Sequence, residues 1–493
     1  MNFFKNQVVV FGVATMIERI ISFFILPILT TTLSEVEFAI WSQLVIVSGV
    51  LVPVVLLGFS QLIVRFYPEW ENSGYQITDI YWKLLACIII FIVVQSIILV
   101  KFQHFFSILI FGNESNYQYI SLIIFFVFLE SFFEITLSTL RSINKIQLVS
   151  IYTIIKAIFR LLSIYYLFVY LDISFIESLI WYSVLNLTVV AILFIGIGLK
   201  TDFFGIKVDK KRLTIADLRG LGIISDAFRY ASPLVFIAIV IPVVSFSDRF
   251  FIANLIGLDA LSGYSAAYTI SAVVALGYSI VGYVAFPKLA NLFVLNEKQR
   301  CGSVLNSTLL FFSGIFFPYL TFMTLAGPEL LLWLSGPDYL VSREIFLLLV
   351  LSIGLFGFFQ IFQYVLLLEK STTRVGSIVF FGAILNLSLN WFLVSHFNLL
   401  GAALSNCMTN SILAVLGTYF SRKILNFRFP IKELSTIISF SVFTYFLGRF
   451  VLPGYYEGEL VYLILSAVVV GFSFLMLYVF VPKVSIFKSL NAL

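Results

Sequence analysis

Stretches of roughly 20 apolar residues recur from one end of this chain to the other, the length needed to cross a hydrocarbon core about 30 Å thick. Of its 493 residues 61% are hydrophobic and 11% charged, with a mean hydropathy of +1.07. Within lipid every backbone N–H and C=O must find an internal partner, which leaves helices or closed barrels. The roughly ten-residue alternating strands of a barrel are missing from the sequence. The expected fold is therefore an all-α polytopic membrane protein with about 14 transmembrane helices.

Hydropathy sets those spans at 8–32, 38–64, 81–100, 117–140, 147–170, 174–199, 230–255, 263–287, 304–327, 344–368, 375–397, 400–420, 432–452 and 459–481. The segment MNFFKNQVVVFGVATMIERIISFF resembles a signal peptide in outline. Glu18 and Arg19 interrupt its apolar run and no small-residue cleavage site follows, so it reads as a retained first helix.

Charge supports the count. Of the 30 Lys and Arg residues, four lie within spans; of the rest, only Lys101, Arg343 and Arg449 fall outside the loops on one face. That asymmetry places both termini in the cytoplasm. The longest connection, Lys200 to Tyr230, is cytoplasmic and basic and follows six spans. It divides the chain into an N-terminal six-helix lobe (1–199), a cytoplasmic linker (200–229), a C-terminal six-helix lobe (230–420) and two further helices (421–493). Helix–loop–helix patterns near 33–41 and 256–264 echo each other weakly, as in transporters built from repeats. The run DKKRL within the linker reads most simply as a solvated stretch near anionic headgroups.

Several function classes drop out. The three cysteines are scattered without metal or redox spacing, and the two histidines are far apart. No Walker A motif or Ser/His/Asp set is present, so neither direct ATP hydrolysis nor an enzyme is expected. The net charge of +5 sits in loops beside spans, which argues against nucleic acid as a partner.

Eight charges lie deep within spans: Glu18 and Arg19 in the first, Glu130 and Glu134 in the fourth, Lys156 and Arg160 in the fifth, Asp248 and Arg249 in the seventh. Each costs roughly 3 kcal/mol at mid-membrane, so they must be paired, hydrated or both. Glu130, Glu134, Ser138 and Arg141 share one helical face, and Thr153, Lys156, Arg160 and Ser163 share one on the next helix. A tight turn near Asn144 makes the two helices antiparallel and brings Glu130 level with Lys156. That pattern fits a salt-bridge ladder fixing the hairpin, or a charged cavity wall.

Arg19 and Arg249 stand in polar stripes of their helices, a placement that suits a water-filled cavity or an interhelical ion pair. A guanidinium stays charged and matches phosphate oxygens. A cavity bordered by Arg19, Arg249, Lys156 and Arg160 would favour an anionic cargo, with Pro27, Pro233, Pro242 and Pro287 bending its helices. Amides at Gln360 and Gln363, Asn386 and Asn390, and Asn406 and Asn410 are spaced to share faces. They suit either sugar hydroxyls or helix–helix contacts.

The stretches SDRFFIANLIGLDALSGYSAAYTI (247–270) and VAFPKLANLF (284–293) carry an Asp-Arg in the seventh span, a Gly-Tyr early in the eighth and a Phe-Pro at its cytoplasmic end. Together with LPILTTTLSEVEFAIWSQL (26–44) and LLGFSQLIVRFYPE (56–69), they resemble Wzx-type O-antigen and oligosaccharide flippases. Those belong to the superfamily that also holds MATE drug exporters and lipid II flippases. Ala39 stands before Trp41 where the family commonly has Gly.

The resemblance implies a V-shaped pair of lobes alternating between inward- and outward-open states in a bacterial inner membrane. It implies a cargo of undecaprenyl-pyrophosphate-linked oligosaccharide for surface polysaccharide, carried among membrane lipids beside polymerases and glycosyltransferases. On that reading Arg19, Arg249, Lys156 and Arg160 meet the diphosphate, and Asn386 and Asn390 meet the sugars. No bound cofactor is expected; H⁺ or Na⁺ would couple through Glu18, Asp248, Glu130 or Glu134. The alternatives are a MATE-like cation or drug antiporter, a lipid II-type flippase and, further off, a membrane polysaccharide polymerase or ligase.

Overall fold

The computed structural model describes residues 2–72, 77–171, 173–200, 223–369, 371–425, 427, 429–452 and 459–480. Among them there are helices, turns and short 3₁₀ or π segments but no strand. Thirteen helical stretches among the described residues are long and apolar enough to cross a membrane, and the protein is multi-pass.

By its internal contacts the chain falls into two units, Met1–Phe246 and Ser247–Leu493. The first contains α1 (Asn2–Thr32), α2 (Glu35–Leu56), α3 (Phe59–Asn72), α4 (Ile77–Lys101), α5 (Gln103–Phe111), α6 (Ile120–Ser142), α7 (Ile146–Tyr165) and α8 (Phe175–Lys200). A long helix, α9 (Ile223–Leu255), crosses the boundary. The second unit holds α10 (Leu258–Ser271), α11 (Ala275–Val294), α12 (Lys298–Ser335), α13 (Arg343–Leu368), α14 (Thr372–Leu425), α15 (Ile431–Val451) and α16 (Glu459–Phe480).

This partition differs from the division at the 200–229 connection. The end of α9 from Ser247 onward bonds to α10 and α14, so it belongs with them. Residues 201–222 of the expected linker lie outside the described residues. The last two helices are no separate appendage. Tyr462 and Tyr478 on α16 donate to the Leu325 and Gly314 carbonyls of α12, and Thr321 of α12 meets Ser441 of α15.

Local chemistry explains the boundaries. Ser34 and Glu37 form a reciprocal capping box that starts α2, the Ser34 hydroxyl accepting from the Glu37 N–H and the Glu37 carboxylate from the Ser34 N–H. Ser174 and Glu177 repeat it at α8. The expected span 38–64 stops early, because Leu57 and Gly58 adopt φ of 44° and 73° and break the helix. The chain resumes as α3, which buries Leu62, Ile63, Tyr67 and Trp70 with Ile80 and leaves Arg65 outward.

The helix α14 has 54 residues, about 80 Å of helix at 1.5 Å per residue, far beyond one bilayer crossing. Asn398 interrupts it with φ 50° and ψ −133°, between the expected spans 375–397 and 400–420. Gly401 permits the sharp reversal, since a Cβ there would strike the Leu393 carbonyl. Counting the two arms of α14 separately gives fourteen candidate crossings among the described residues.

In the second unit, packing is close enough to exclude side chains. A Cβ on Gly354 of α13 would overlap the ring of Phe316 on α12, itself 1% exposed. Gly354→Val is expected to destabilise the protein by about 1–3 kcal/mol through overpacking. Thermal unfolding of the purified protein checks this, and Gly471→Val, where nothing lies within 4 Å, serves as the control.

Candidate functional site

Two groups of intramembrane polar residues emerge, one in each unit. In the first, the Asn144 turn (φ 57°) sets α6 against α7. Lys156 Nζ then lies 2.6 Å from Glu130 Oε2 and 4.1 Å from the centre of the Phe133 ring. The pairing read from the sequence is present. Glu134 instead pairs along its own helix: Arg141 lies 2.6 Å from its Oε1 and donates to Ser138, which donates to Glu134. A crevice of about 30 Å³ beside Glu130 and Lys156, bordered by Tyr182 and Asn186 of α8, has room for water.

Both partners of the Glu130–Lys156 pair are partly exposed, so its worth is modest, about 1 kcal/mol. Swapping the charges (Glu130→Lys with Lys156→Glu) is expected to retain most of the protein level that either single reversal loses. Quantifying membrane-inserted protein checks this; a swap no better than the singles would show that the charges act otherwise.

The arginines fare differently. Arg160 is half-buried, and its Nε has no hydrogen-bond partner. Arg19, on α1 packed along α7, is exposed and makes no ion pair among the described residues; Glu18 beside it is half-buried and likewise makes none. Of the four cations deep within spans, Arg19 and Arg160 thus form no ion pair among the described residues, although Arg160 lies near enough to Glu130 to feel its charge.

The second group is closed. Asp248 is 0% exposed and Arg249 2% exposed. Asp248 Oδ2 accepts from the Tyr264 hydroxyl at 2.6 Å and from Asn406 Nδ2 at 2.7 Å; Oδ1 accepts from the Arg249 backbone N–H at 3.0 Å. The Arg249 guanidinium lies 3.4 Å from Oδ1 and sits 4.1 Å over the Tyr268 ring. Sequence neighbours therefore do neutralise each other here, because the long arginine side chain folds back toward Asp248.

The network continues. Asn386 donates to Asn406 Oδ1 and Thr409, and accepts from Ser247 and Asn390. Asn386 and Asn390 are 0% exposed, so in this conformation they link α9 to both arms of α14 rather than facing a cavity. Asn390 Oδ1 is buried without a partner. Asn410 joins α14 to Ser352 of α13, the helix-bonding role open to these amides. The participants that the spacing did not single out are Ser247, Tyr264, Tyr268 and Thr409. Tyr264 alone had a signal, standing in the Gly-Tyr pair of 247–270.

The comparisons with known proteins agree with this architecture. Residues 4–293 match the family model described as "Polysaccharide biosynthesis protein". A Shigella flexneri protein described as "Putative O-antigen transporter" is 26% identical over 173 residues, 34% of this chain and 40% of that protein. The structure of a lipid II flippase, MurJ, in an inward closed conformation superposes with a TM-score of 0.73 at 15% identity, covering 96% of this chain and 99% of that one. An inward-facing multidrug resistance MATE transporter gives 0.63 at 13% identity, covering 86% and 96%. These relatives are described as transporters and flippases. The two solved structures, at such low identity, speak to the fold alone. With the family model covering more than half of it, the chain belongs to the polysaccharide biosynthesis protein family.

Proposed function

We propose that this protein is a flippase that moves undecaprenyl-pyrophosphate-linked oligosaccharide repeat units across a bacterial inner membrane by alternating access, for surface polysaccharide biosynthesis. The observation that carries the reading is Arg19: an exposed guanidinium mid-span with no ion-pair partner among the described residues. Such a group costs roughly 3 kcal/mol in lipid and marks a polar path. Its planar donors suit a diphosphate, and Arg160 on the adjoining α7, in no ion pair among the described residues, supplies a second cation. Membership of a polysaccharide biosynthesis family and the O-antigen transporter relative support a glycan-bearing cargo. The charge bias of the loops supports cytoplasmic termini.

Among the candidate carboxylates, Glu130 and Glu134 are tied to Lys156 and Arg141. Glu18, half-buried and in no ion pair among the described residues, is the leading site for coupling to H⁺ or Na⁺. Asp248 already accepts from Tyr264, Asn406 and Arg249 and would take a proton or cation only by releasing one of these donors. Arg249 acts by holding that carboxylate, and Asn386 and Asn390 by completing its surroundings. A MATE-like antiporter of organic cations would need an acid dominating its cavity, whereas the four acids deep within spans are balanced in number by four cations. A polymerase and glycosyltransferases would be natural partners of such an exporter.

The test is complementation. In a strain whose surface polysaccharide depends on this protein, wild-type chain restores the polysaccharide ladder. A lipid II flippase, whose cargo would present the same diphosphate to Arg19, is the second reading. Rescue of cells depleted of their lipid II flippase would establish it instead.

A further inference from the structure

Between the second arm of α14 and α15 the unit leaves a groove enclosing about 1380 Å³. The two helices share no close packing, while α12 and α13 floor the gap with Phe316 and Phe358. Val415 and Tyr419 on one wall and Val442 on the other are more than half exposed. One end is different in character. Arg422 and Lys423 line it; both are exposed and neither forms an ion pair among the described residues. Lys423 lies 4.4 Å from the centre of the Tyr419 ring. The charge bias assigns this end to the cytoplasmic surface.

Length limits the occupant. From Ile431 to Val442, and from Ser411 to Arg422, the walls run about 16 Å at 1.5 Å per residue. That is one leaflet of a core about 30 Å thick. An apolar slot one leaflet deep with two unneutralised cations at its mouth matches a lipid with ordinary acyl chains and an anionic headgroup.

We propose that this groove is a binding site for an anionic glycerophospholipid of the cytoplasmic leaflet, its phosphate held by Arg422 and Lys423 and its acyl chains laid between α14 and α15. The lipid would act as a wedge that fixes α15 against the bundle. The site stands on its own geometry and holds whichever cargo the protein moves.

The test is native mass spectrometry of the full-length protein with dioleoyl phosphatidylglycerol or dioleoyl phosphatidylcholine. The expected result is a roughly tenfold or greater preference for phosphatidylglycerol. It should fall toward unity in Arg422→Gln/Lys423→Gln and survive in Arg422→Lys/Lys423→Arg. Val415→Trp should lower occupancy by either lipid. Equal retention of the two lipids, or an unchanged preference in the double glutamine variant, would overturn the proposal. So would displacement by equimolar undecaprenyl phosphate, which would assign the groove to a polyprenyl tail.

Discussion

Arg19→Gln is expected to reduce polysaccharide export at least tenfold while leaving the amount of inserted protein unchanged. Arg19 is exposed and takes part in no ion pair among the described residues, so its removal strands no buried partner there. What is lost is a charge-assisted contact to phosphate, worth about 1.5–3 kcal/mol and hence roughly ten- to hundredfold in binding. Arg19→Lys keeps the charge but not the planar fork, and should fall between the two. Quantitative gels of surface polysaccharide, normalised to protein in the membrane fraction, decide it. Normal export by Arg19→Gln would remove the phosphate contact from the account.

The second large effect concerns stability. Asp248→Ala leaves the Arg249 guanidinium buried at 2% exposure without its carboxylate, and strips Tyr264 and Asn406 of their acceptor. Breaking a buried pair in this way costs about 3–5 kcal/mol. At roughly 2–4 °C per kcal/mol for a unit of this size, the melting temperature should drop by on the order of 10 °C. The double variant Asp248→Leu/Arg249→Met removes both charges and should recover most of the loss, because well-packed apolar replacements of buried pairs are often neutral. Thermal unfolding monitored by size-exclusion chromatography checks both variants. A double variant as unstable as the single would show that Asp248 stabilises through its hydrogen bonds rather than by pairing with Arg249.

How far the sequence could be read depended on range. Span positions were legible because a bilayer imposes one length and one composition on every crossing, even at the Asn398 break inside α14. The end of the second span was not. The apolar run continues through Leu57 and Gly58, and only the left-handed backbone there turns the following residues into α3. The Glu130–Lys156 pair was legible since one tight turn joins its helices. The contact between Asp248 and Asn406, at a sequence separation of 158, rests on tertiary packing that periodicity does not encode. For the same reason Arg19 and Arg249, alike as intramembrane arginines, differ in burial. α9 delivers Arg249 into a cluster of Tyr264, Tyr268 and Asp248, while the neighbours of Arg19 on α1 leave it open.

The central claim is that Arg19 is kept in the membrane to meet a diphosphate. The most direct measurement is the affinity of the purified protein for undecaprenyl diphosphate, set against undecaprenol, which has the same tail and no phosphate. The account predicts that wild-type protein prefers the diphosphate by roughly tenfold or more, and that Arg19→Gln loses most of that preference. Equal affinity of wild-type and Arg19→Gln protein for undecaprenyl diphosphate would contradict it.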